Sequence, residues 1–280
     1  MREVGMDRWA WAFGCVICGL PLYEYDHLIP FSEVGEHHPT NLILLCDRHH
    51  REKTNGLLPI QAITAAIKRP ANAQRGESAA YTLHYAESEC VAELGSNVYV
   101  WPELAEGMMT APLVVDDTPI VLFRMQDGHL LLTVQLFDED NEMLVQILDN
   151  ELVYSIDHWD VQFEGLQLTV RAAYREIFVR MRFQPPSRVE INRGHLWRNG
   201  VEMEIWPDKF IVMPGFQVSG SQGVHCPLGL AIGDHPPLGG MFSLGSPLRG
   251  EYTVYASSEE RVLRIGAPGA STSAGEPPQP

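Results

Sequence analysis

Two pairs of metal-ligand residues near the N-terminus constrain the fold of this chain more than any other feature. Cys15 and Cys18 form a Cys-x-x-Cys pair, and a Cys-x-x-His pair follows at Cys46 and His49. Three thiols and one imidazole on two short knuckles are the ligands that tetrahedral zinc prefers, and a site with four protein ligands is structural. A short segment buries little apolar surface, so we expect zinc to supply much of its stability. The alternative is three reduced cysteines that lie close in sequence by coincidence.

The residues around these pairs predict two short strands joined by a polar loop and followed by two helices. Asp47 is the predicted N-cap of the first helix, and Gly56 is its predicted end. These elements place a small domain at residues 1–70. The predicted bounds are strands at Leu22–Pro30 and Asn41–Cys46, a helix at Arg48–Asn55 and a second helix from Pro59 to about Lys68.

Charge is divided unevenly along the chain. Residues 1–75 carry eight basic and eight acidic side chains, so the whole net charge of −16 falls on residues 76–280. Because an acidic surface repels phosphate, we expect nucleic acid to meet the N-terminal segment only. The acidity also has a simpler explanation, since a net charge far from zero keeps a protein soluble.

The N-terminus and the cysteine count bear on the compartment. No apolar run reaches the roughly 18 residues of a membrane span, and Met1, Arg2 and Glu3 lack the apolar core of a signal peptide. Five cysteines are an odd number, and three of them belong to the metal pairs, which argues against a disulfide framework. We therefore expect a soluble, cytoplasmic protein with no membrane contact. The sequence leaves the oligomeric state open.

Beyond the N-terminal segment the pattern changes to strands. Residues 71–96 are a predicted linker region, because the Pro, Gly, Ala and Ser residues at its start leave little to bury. Residues 97–266 predict a larger all-β domain, and residues 267–280 predict a disordered tail. The predicted fold class is therefore α+β, with a small metal-binding domain followed by a β-rich one.

Two features of the second region leave its architecture and role open. A charged residue followed by glycine recurs at Gly128, Gly165 and Gly194, which fits either hairpin turns of a sandwich or units of a stacked, solenoid-like arrangement. The region contains many carboxylates and several histidines, but we find no cluster of them with catalytic or metal-ligand spacing. The histidines are His129, His158, His195, His225 and His235. We expect this region to be regulatory, through a protein partner or a ligand.

The N-terminal segment also contains residues that a zinc site does not need, namely Asp26, His27, Asn41 and His50. Together with the two ligand pairs and Lys53, they make residues 13–57 resemble the HNH endonuclease family in its zinc-knuckle subgroup. The fourth zinc ligand of that family is more often cysteine, whereas this chain has His49. The resemblance implies a ββα-metal fold and metal-dependent hydrolysis of phosphodiester bonds in nucleic acid, with DNA as the first choice.

The resemblance implies a role for each of these residues. His27 would be the general base that activates water, which suits an imidazole that titrates near neutral pH. Asp26 and His50 would hold a catalytic cation and leave coordination positions for phosphate and water, which suits Mg²⁺, Mn²⁺ or Ni²⁺. Asn41 would fix the loop that orients His27. Adjacent strand residues point to opposite faces, so Asp26 and His27 can act at one site only if the strand is locally distorted.

Basic residues of the predicted helix are candidates for contact with nucleic acid. Arg48, Arg51 and Lys53 lie on it, and His50 is in its first turn, where free N–H groups favour a bound phosphate. The alternative for each basic residue is a solvated helix face.

The resemblance and the charge division together favour a nuclease whose β domain restricts when it cuts. By analogy with β-rich domains attached to such cores, we expect a bacterial or phage defence setting. Two other functions stay open. One is a non-catalytic zinc module that binds nucleic acid or protein, although the four residues that zinc does not need disfavour it. The other is a structural or assembly protein with a vestigial nuclease core.

Overall fold

The structure is a computed structural model that describes residues 13–36, 38–158, 160–233, 240–245, 251–256 and 262–266. Residues 1–12 and the predicted tail at 267–280 lie outside the described residues. Strands dominate the described chain, and its helices all precede Gly76. Within the described ranges, no helix is long and apolar enough to cross a membrane.

The N-terminal segment has two strands and a helix in the predicted order. Strands β1 and β2 pair antiparallel, with Asp26 opposite Ile43 and His27 opposite Leu42. Helix α2 follows β2 directly, which gives the ββα order that the resemblance implies. The elements are β1 (Glu24–His27), α1 (Phe31–Val34), a short 3-10 helix (Pro39–Asn41), β2 (Leu42–Leu45), α2 (Asp47–Thr54), α3 (Ile60–Lys68) and α4 (Ala71–Arg75).

The start of α2 differs from the prediction. Cys46, and not Asp47, is the N-cap residue, and its backbone is extended at φ −74° and ψ 162°. Asp47 is the first helical residue, where its negative charge still favours the positive end of the helix dipole. Because β2 ends at Leu45 and α2 begins at Asp47, Cys46 is the single residue that connects the strand to the helix.

A small apolar core holds the N-terminal segment together. Ile63 of α3 is fully buried in this core with Ile43 and Leu45 of β2. Two of the six buried residues are metal-ligand cysteines, so the apolar core is small and a bound metal would add to the stability of the segment. The six are Cys15, Val16, Ile43, Leu45, Cys46 and Ile63.

The rest of the described chain is a large β region. Its strands are β3 (Tyr81–Thr82), β4 (Cys90–Leu94), β5 (Asn97–Trp101), β6 (Met109–Val115), β7 (Thr118–Gln126), β8 (His129–Phe137), β9 (Met143–Leu148), β10 (Glu151–Tyr154), β11 (Asp160–Glu164), β12 (Gln167–Ala173), β13 (Glu176–Gln184), β14 (Arg188–Arg198), β15 (Val201–Trp206), β16 (Lys209–Val212), β17 (Phe216–Val218), β18 (Gln222–Val224), β19 (Leu228–Gly233), β20 (Phe242–Gly245), β21 (Glu251–Ala256) and β22 (Val262–Gly266). The sequence prediction of a larger β region is therefore correct.

Hydrogen bonding joins these strands into one continuous system. Neighbours in sequence pair mostly antiparallel, as in the runs β6 to β10 and β11 to β17. Three parallel pairs join distant parts of the chain; they are β4 with β14, β5 with β18, and β6 with β19. The consecutive strands β19 and β20 are also parallel. The choice between a sandwich and a stacked arrangement stays a prediction.

One contiguous apolar core fills the β region. Phe123 of β7, Phe183 of β13 and Phe210 of β16 all belong to it, and each is at most 1% exposed. Because residues from such distant strands share one core, the β region is a single packed body.

The sheet begins earlier than the predicted start at residue 97. Strands β3 and β4 and helix α4 all lie within residues 71–96, which the sequence assigned to a linker. Leu83, Tyr85 and Cys90 from this stretch are buried in the main core. Strand β4 pairs in parallel with β14, which lies far along the chain, so its partner could not be recognised from local sequence.

The charged-residue and glycine pairs have two different structural roles. Gly128 and Gly165 adopt positive φ angles of 72° and 58° in the turns between β7 and β8 and between β11 and β12. Gly194 instead lies inside β14, paired with Ile205 and Val179, close to a register shift between β13 and β14. A glycine inside a strand often marks such an irregularity. The three pairs are therefore not equivalent units.

The N-terminal segment is joined to the β region through backbone carbonyl groups of the first knuckle. The carbonyl of Phe13 accepts a hydrogen bond from the Tyr154 hydroxyl. The Cys18 carbonyl accepts one from Arg75 at 3.0 Å, and the Gly19 carbonyl accepts one from the Ala79 N–H at 3.1 Å. Gly19 has φ 81°, and a Cβ there would lie 1.9 Å from the Asn72 Oδ1 atom, so only glycine fits this contact.

Two isoleucines of α3 test how much the small core contributes. Ile63 is 0% exposed and Ile60 is 44% exposed, and both lie in the same helix. We expect Ile63→Ala to lower the local free energy of unfolding by about 2–5 kcal/mol, because it leaves a cavity. We expect Ile60→Ala to change it by less than about 0.5 kcal/mol. Hydrogen exchange of peptides covering α2 and α3 measures both, and equal losses in the two variants would contradict the assignment of this core.

Candidate functional site

Four side chains of the N-terminal segment converge on one point, and we call them the zinc cluster: Cys15, Cys18, Cys46 and His49. Each offers one ligand atom, and all four atoms lie within 4.8 Å of one another. The Nδ1 atom of His49 is 3.2 Å from the Sγ atoms of Cys15 and Cys46, and the Sγ atoms of Cys18 and Cys46 are 3.8 Å apart. Tetrahedral zinc with bonds of about 2.0–2.3 Å places its ligand atoms about 3.5–3.8 Å apart. The zinc cluster can therefore hold a zinc ion after small shifts.

Local hydrogen bonds fold the first knuckle around its two thiols. The Cys15 N–H donates to the Leu20 carbonyl at 3.0 Å, and the Gly19 N–H donates to the Cys15 carbonyl at 2.7 Å. The Val16 N–H donates to the Leu44 carbonyl at 3.0 Å, which fastens the knuckle to β2. Strand β2 in turn leads directly into the second ligand pair.

The three thiols hold their protons unequally. Hydrogen bonding with Cys18 lowers the pKa of the Cys15 thiol far below its ordinary value, although burial acts in the opposite direction. The pKa of Cys18 is raised, mainly by the same hydrogen bond and then by burial. Burial raises the pKa of the Cys46 thiol. Three clustered thiols therefore cannot all ionise unless a cation compensates them, which is what zinc does when it binds thiolates.

Glu52 and Arg48 lie on the side of His49 that faces away from the thiols. The Nδ1 atom of His49 faces the thiols, and its Nε2 atom lies 3.8 Å from Oε2 of Glu52. The other oxygen of Glu52 accepts a hydrogen bond from Nε of Arg48 at 2.9 Å, which lowers the pKa of Glu52. Carboxylates placed behind a metal-ligating histidine orient its ring and fix its tautomer.

Asp26 and His50 form a second group, which we call the cleft pair. The Nε2 atom of His50 lies 3.8 Å from Oδ1 of Asp26. Two coordination bonds of about 2.1 Å span just over 4 Å at most, so one cation can contact both atoms. The same Oδ1 accepts the backbone N–H of His27 at 2.7 Å, while Oδ2 pairs with the Lys53 ammonium at 2.8 Å. The Asp26 carboxylate is thus held in one orientation.

Helix α2 supplies a histidine to each group. Consecutive residues of an α-helix point about 100° apart, so two adjacent histidines cannot share one site. His49 faces the thiols, and His50 faces Asp26. This is the division of the two histidines that the spacing of the Cys-x-x-His pair predicts.

Asn41 ties together the loop between β1 and β2. Its Oδ1 atom accepts the N–H of Ile29 at 2.7 Å, and its amide donates to the Ile29 carbonyl at 2.9 Å. Its own backbone carbonyl accepts the N–H of Leu28 at 2.7 Å. Asn41 is buried, so these bonds are shielded from water. They fix the two residues that directly follow His27.

The His27 side chain packs against the segment that follows β1. Its ring packs against the ring of Phe31 in α1, with centroids 5.7 Å apart and an angle of 60° between the planes. Its carbonyl accepts a hydrogen bond from the Lys53 ammonium. Because adjacent strand residues point to opposite faces, the His27 ring and the Asp26 carboxylate leave β1 on opposite sides.

The three basic residues predicted to contact nucleic acid differ in their accessibility. The Arg48 side chain is 79% exposed, although it pairs with Glu52, and Arg51 is also exposed. The Lys53 side chain is only 14% exposed, because its ammonium serves Asp26 and the His27 carbonyl. Lys53 therefore binds Asp26 and the backbone of His27, and its contact with nucleic acid stays a prediction.

The structure also brings together three ligand-type side chains that the sequence spacing did not reveal. His195 of β14 and Glu202 and Glu204 of β15 place one ligand atom each within 4.8 Å of the others. The sequence does contain a pattern that predicts this grouping, because Asn199-Gly200 is a strong signature of a β-hairpin turn. Folding the chain back at this dipeptide puts His195 opposite Glu204.

Comparison with known proteins assigns a family to the N-terminal segment. Residues 15–56 match the family model described as HNH endonuclease, a stretch that contains both the zinc cluster and the cleft pair. No curated protein and no solved structure matches the chain. The N-terminal segment is thus identified as an HNH endonuclease domain, which indicates nuclease activity, metal binding and interaction with nucleic acid. The β region has no named family.

The adjacent histidines of α2 separate the two groups experimentally. We expect His49→Ala to lose the zinc that resists dialysis against a chelator, because it removes one of four ligands. We expect His50→Ala to retain that zinc, because its ring faces Asp26. Metal analysis of the two purified variants measures the difference, with Cys46→Ala as a reference for complete loss. Zinc loss in His50→Ala with retention in His49→Ala would reverse the assignment.

Proposed function

We propose that this protein is a metal-dependent HNH endonuclease that hydrolyses phosphodiester bonds, with DNA as its substrate. The observation that carries the proposal is the cleft pair. Asp26 and His50 converge to 3.8 Å beside a zinc cluster that has its own full set of four ligands. A purely structural zinc module has no need of this second pair of ligand atoms.

The chemistry of hydrolysis needs a base, an activated water and compensation of negative charge. A divalent cation such as Mg²⁺, Mn²⁺ or Ni²⁺, when bound at the cleft pair, would offset the charge that develops on the phosphate and the leaving oxygen. His27 is the proposed general base, which takes the proton from the attacking water. His27 is the last residue of β1 and directly follows the ligand Asp26, so the proposed role needs its ring to turn toward the cation from the opposite face of the strand.

Two neighbours are proposed to keep these groups in place. Asn41 fixes Leu28 and Ile29 by three hydrogen bonds, and this restrains the end of β1 that carries His27. The Lys53 ammonium binds both the Asp26 carboxylate and the His27 carbonyl, so it couples the position of the ligand to that of the base. Precise placement of such groups contributes much of the rate enhancement in hydrolysis.

The charge division supports nucleic acid as the substrate of this segment alone. Residues 1–75 are neutral overall, and Arg48 and Arg51 are exposed on α2, while residues 76–280 carry the net charge of −16. We propose that a phosphate backbone approaches α2 and that the β region restricts access to it. Incubation with plasmid, single-stranded DNA and RNA, each with Mg²⁺, Mn²⁺ and Ni²⁺, tests the substrate class. The defence setting stays a prediction from analogy.

One observation favours a second candidate function, a non-catalytic zinc module that binds nucleic acid or protein. The Lys53 ammonium lies 2.8 Å from Asp26, so it could neutralise this carboxylate in place of a cation. In that case the wild-type protein would bind nucleic acid without cutting it under any of the metal conditions. Cleavage that depends on His27 excludes this alternative.

The general-base role predicts that substitution of His27 slows cleavage strongly and that substitution of His38 does not. We expect His27→Ala to slow cleavage by at least about 100-fold, since general-base catalysis is worth roughly 100- to 10,000-fold. His38→Ala is the matched control, because His38 is exposed in the same loop and bonds only locally to Thr40. Initial rates on a labelled DNA measure both. Unchanged cleavage by His27→Ala with zinc retained would contradict the role.

The cleft pair predicts a specific change in the requirement for metal. We expect Asp26→Asn to raise the Mn²⁺ concentration for half-maximal cleavage by about tenfold or more, because a neutral amide is a poorer ligand for a hard cation. Glu24→Gln, on the same strand but exposed, is the control and should leave the requirement unchanged. An equal Mn²⁺ requirement in Asp26→Asn and the wild type would place the cation elsewhere.

A further inference from the structure

A second metal-ligand group lies on the hairpin of β14 and β15, in the part of the chain that has no named family. The turn is Asn199-Gly200, and His195 is directly opposite Glu204 across the two strands. Glu202 lies two residues before Glu204, so alternation puts it on the same face of the hairpin. One ligand atom from each of the three residues lies within 4.8 Å of the other two. We call His195, Glu202 and Glu204 the hairpin cluster.

We propose that the hairpin cluster is a divalent-metal site, independent of the proposed nuclease activity. Two carboxylates and one imidazole converge there, which is a ligand set that suits Zn²⁺, Mn²⁺, Co²⁺ or Ni²⁺. Three protein ligands leave coordination positions open, so the site is not a closed structural one. The side chains of His195 and Glu202 are 37% and 36% exposed, which gives an ion direct access from solvent.

Aromatic neighbours hold two of the three ligands in place. The His195 ring packs on the Trp197 ring with centroids 3.9 Å apart. The Nε1–H group of Trp206 donates to Oε2 of Glu204 at 2.8 Å, which leaves the other carboxylate oxygen for a metal. Groups of this kind orient metal ligands before the ion arrives and raise its affinity.

Among the described residues, one histidine is the only ion-pair partner of the two glutamates in the hairpin cluster. His195 lies 2.7 Å from Glu202, while Glu204 accepts a hydrogen bond from Trp206. The nearby cations Arg193 and Lys209 lie over the Trp206 ring, at 3.7 Å and 6.0 Å from its centroid. In the described part of the chain neither makes an ion pair with Glu202 or Glu204. A simple cross-strand ion pair would need only one of the two glutamates, whereas a cation uses both.

The surroundings leave room for a further ligand on the metal. A groove of about 260 Å³ adjoins the hairpin cluster, and His195 and Glu204 form part of its wall together with Tyr174, Arg193 and Trp206. The distance of 2.7 Å between His195 and Glu202 must widen to about 3.0–3.4 Å for bonds of about 2.0–2.2 Å to one ion. Side-chain rotation alone supplies a shift of this size.

Binding of Co²⁺ to the full chain tests the proposal through tryptophan fluorescence. The protein is first loaded with one equivalent of zinc to fill the four-ligand zinc cluster, weakly bound zinc is removed by dialysis, and Co²⁺ is then titrated in. Because Trp197 and Trp206 flank the hairpin cluster, we expect saturable quenching in the wild type. We expect the Co²⁺ affinity reported by this quenching to fall at least about tenfold in His195→Ala and in Glu204→Gln. His129→Ala, an exposed histidine of β8, is the matched control and should bind as the wild type does.

Two further measurements keep the test decisive. Thermal unfolding without added Co²⁺ should be the same in the wild type and the variants, since all three ligands are only partly buried. Trp206→Phe removes the hydrogen bond to Glu204 but keeps Trp197 as the reporter, and we expect its Co²⁺ affinity to fall about tenfold. Equal affinity in His195→Ala and the wild type, or no saturable quenching of the wild type, would overturn the proposal.

Discussion

The convergence of three thiols and one imidazole is the interaction on which the N-terminal segment depends. Among the described residues, six form its buried core, and two of them are thiols of the zinc cluster. Apolar burial on this scale does not offset the entropy of ordering two strands and four α-helices. Filling the zinc cluster would fix β2 and α2 relative to the first knuckle. The cleft pair is assembled from β1 and α2. The structural zinc would therefore determine the geometry of the site proposed for the catalytic cation.

Local spacing in the sequence was enough to predict which four residues of the N-terminal segment form the zinc cluster. Cys46 and His49 are three residues apart at the start of a helix, so their side chains must lie on one face, and His50 must point elsewhere. The role of Lys53 could not be predicted in this way. Its position depends on how α2 packs against β1, and only that packing shows that the ammonium is used inside the segment.

The β region was predictable as a class of structure but not in its detail. Strand alternation marks the hairpins, such as β4 with β5, yet β4 also pairs in parallel with β14, and no local pattern indicates a parallel partner at that distance. The hairpin cluster was missed for a related reason. His195 and Glu204 are nine positions apart, a spacing with no meaning for a helix or a single strand, and it becomes significant only when Asn199-Gly200 is taken as the turn.

The hydrogen bonds at the first knuckle have a consequence for how the two regions can be separated. Three knuckle carbonyls, at Phe13, Cys18 and Gly19, receive their donors from Tyr154, Arg75 and Ala79, all beyond residue 70. A protein truncated at the predicted boundary after residue 70 would lose all three donors at once and would expose these carbonyls to water. The HNH segment therefore cannot be separated from the rest of the chain without loss of contacts. Fusion to another domain would have to retain the chain through at least Ala79, and it would still leave one carbonyl without its tyrosine.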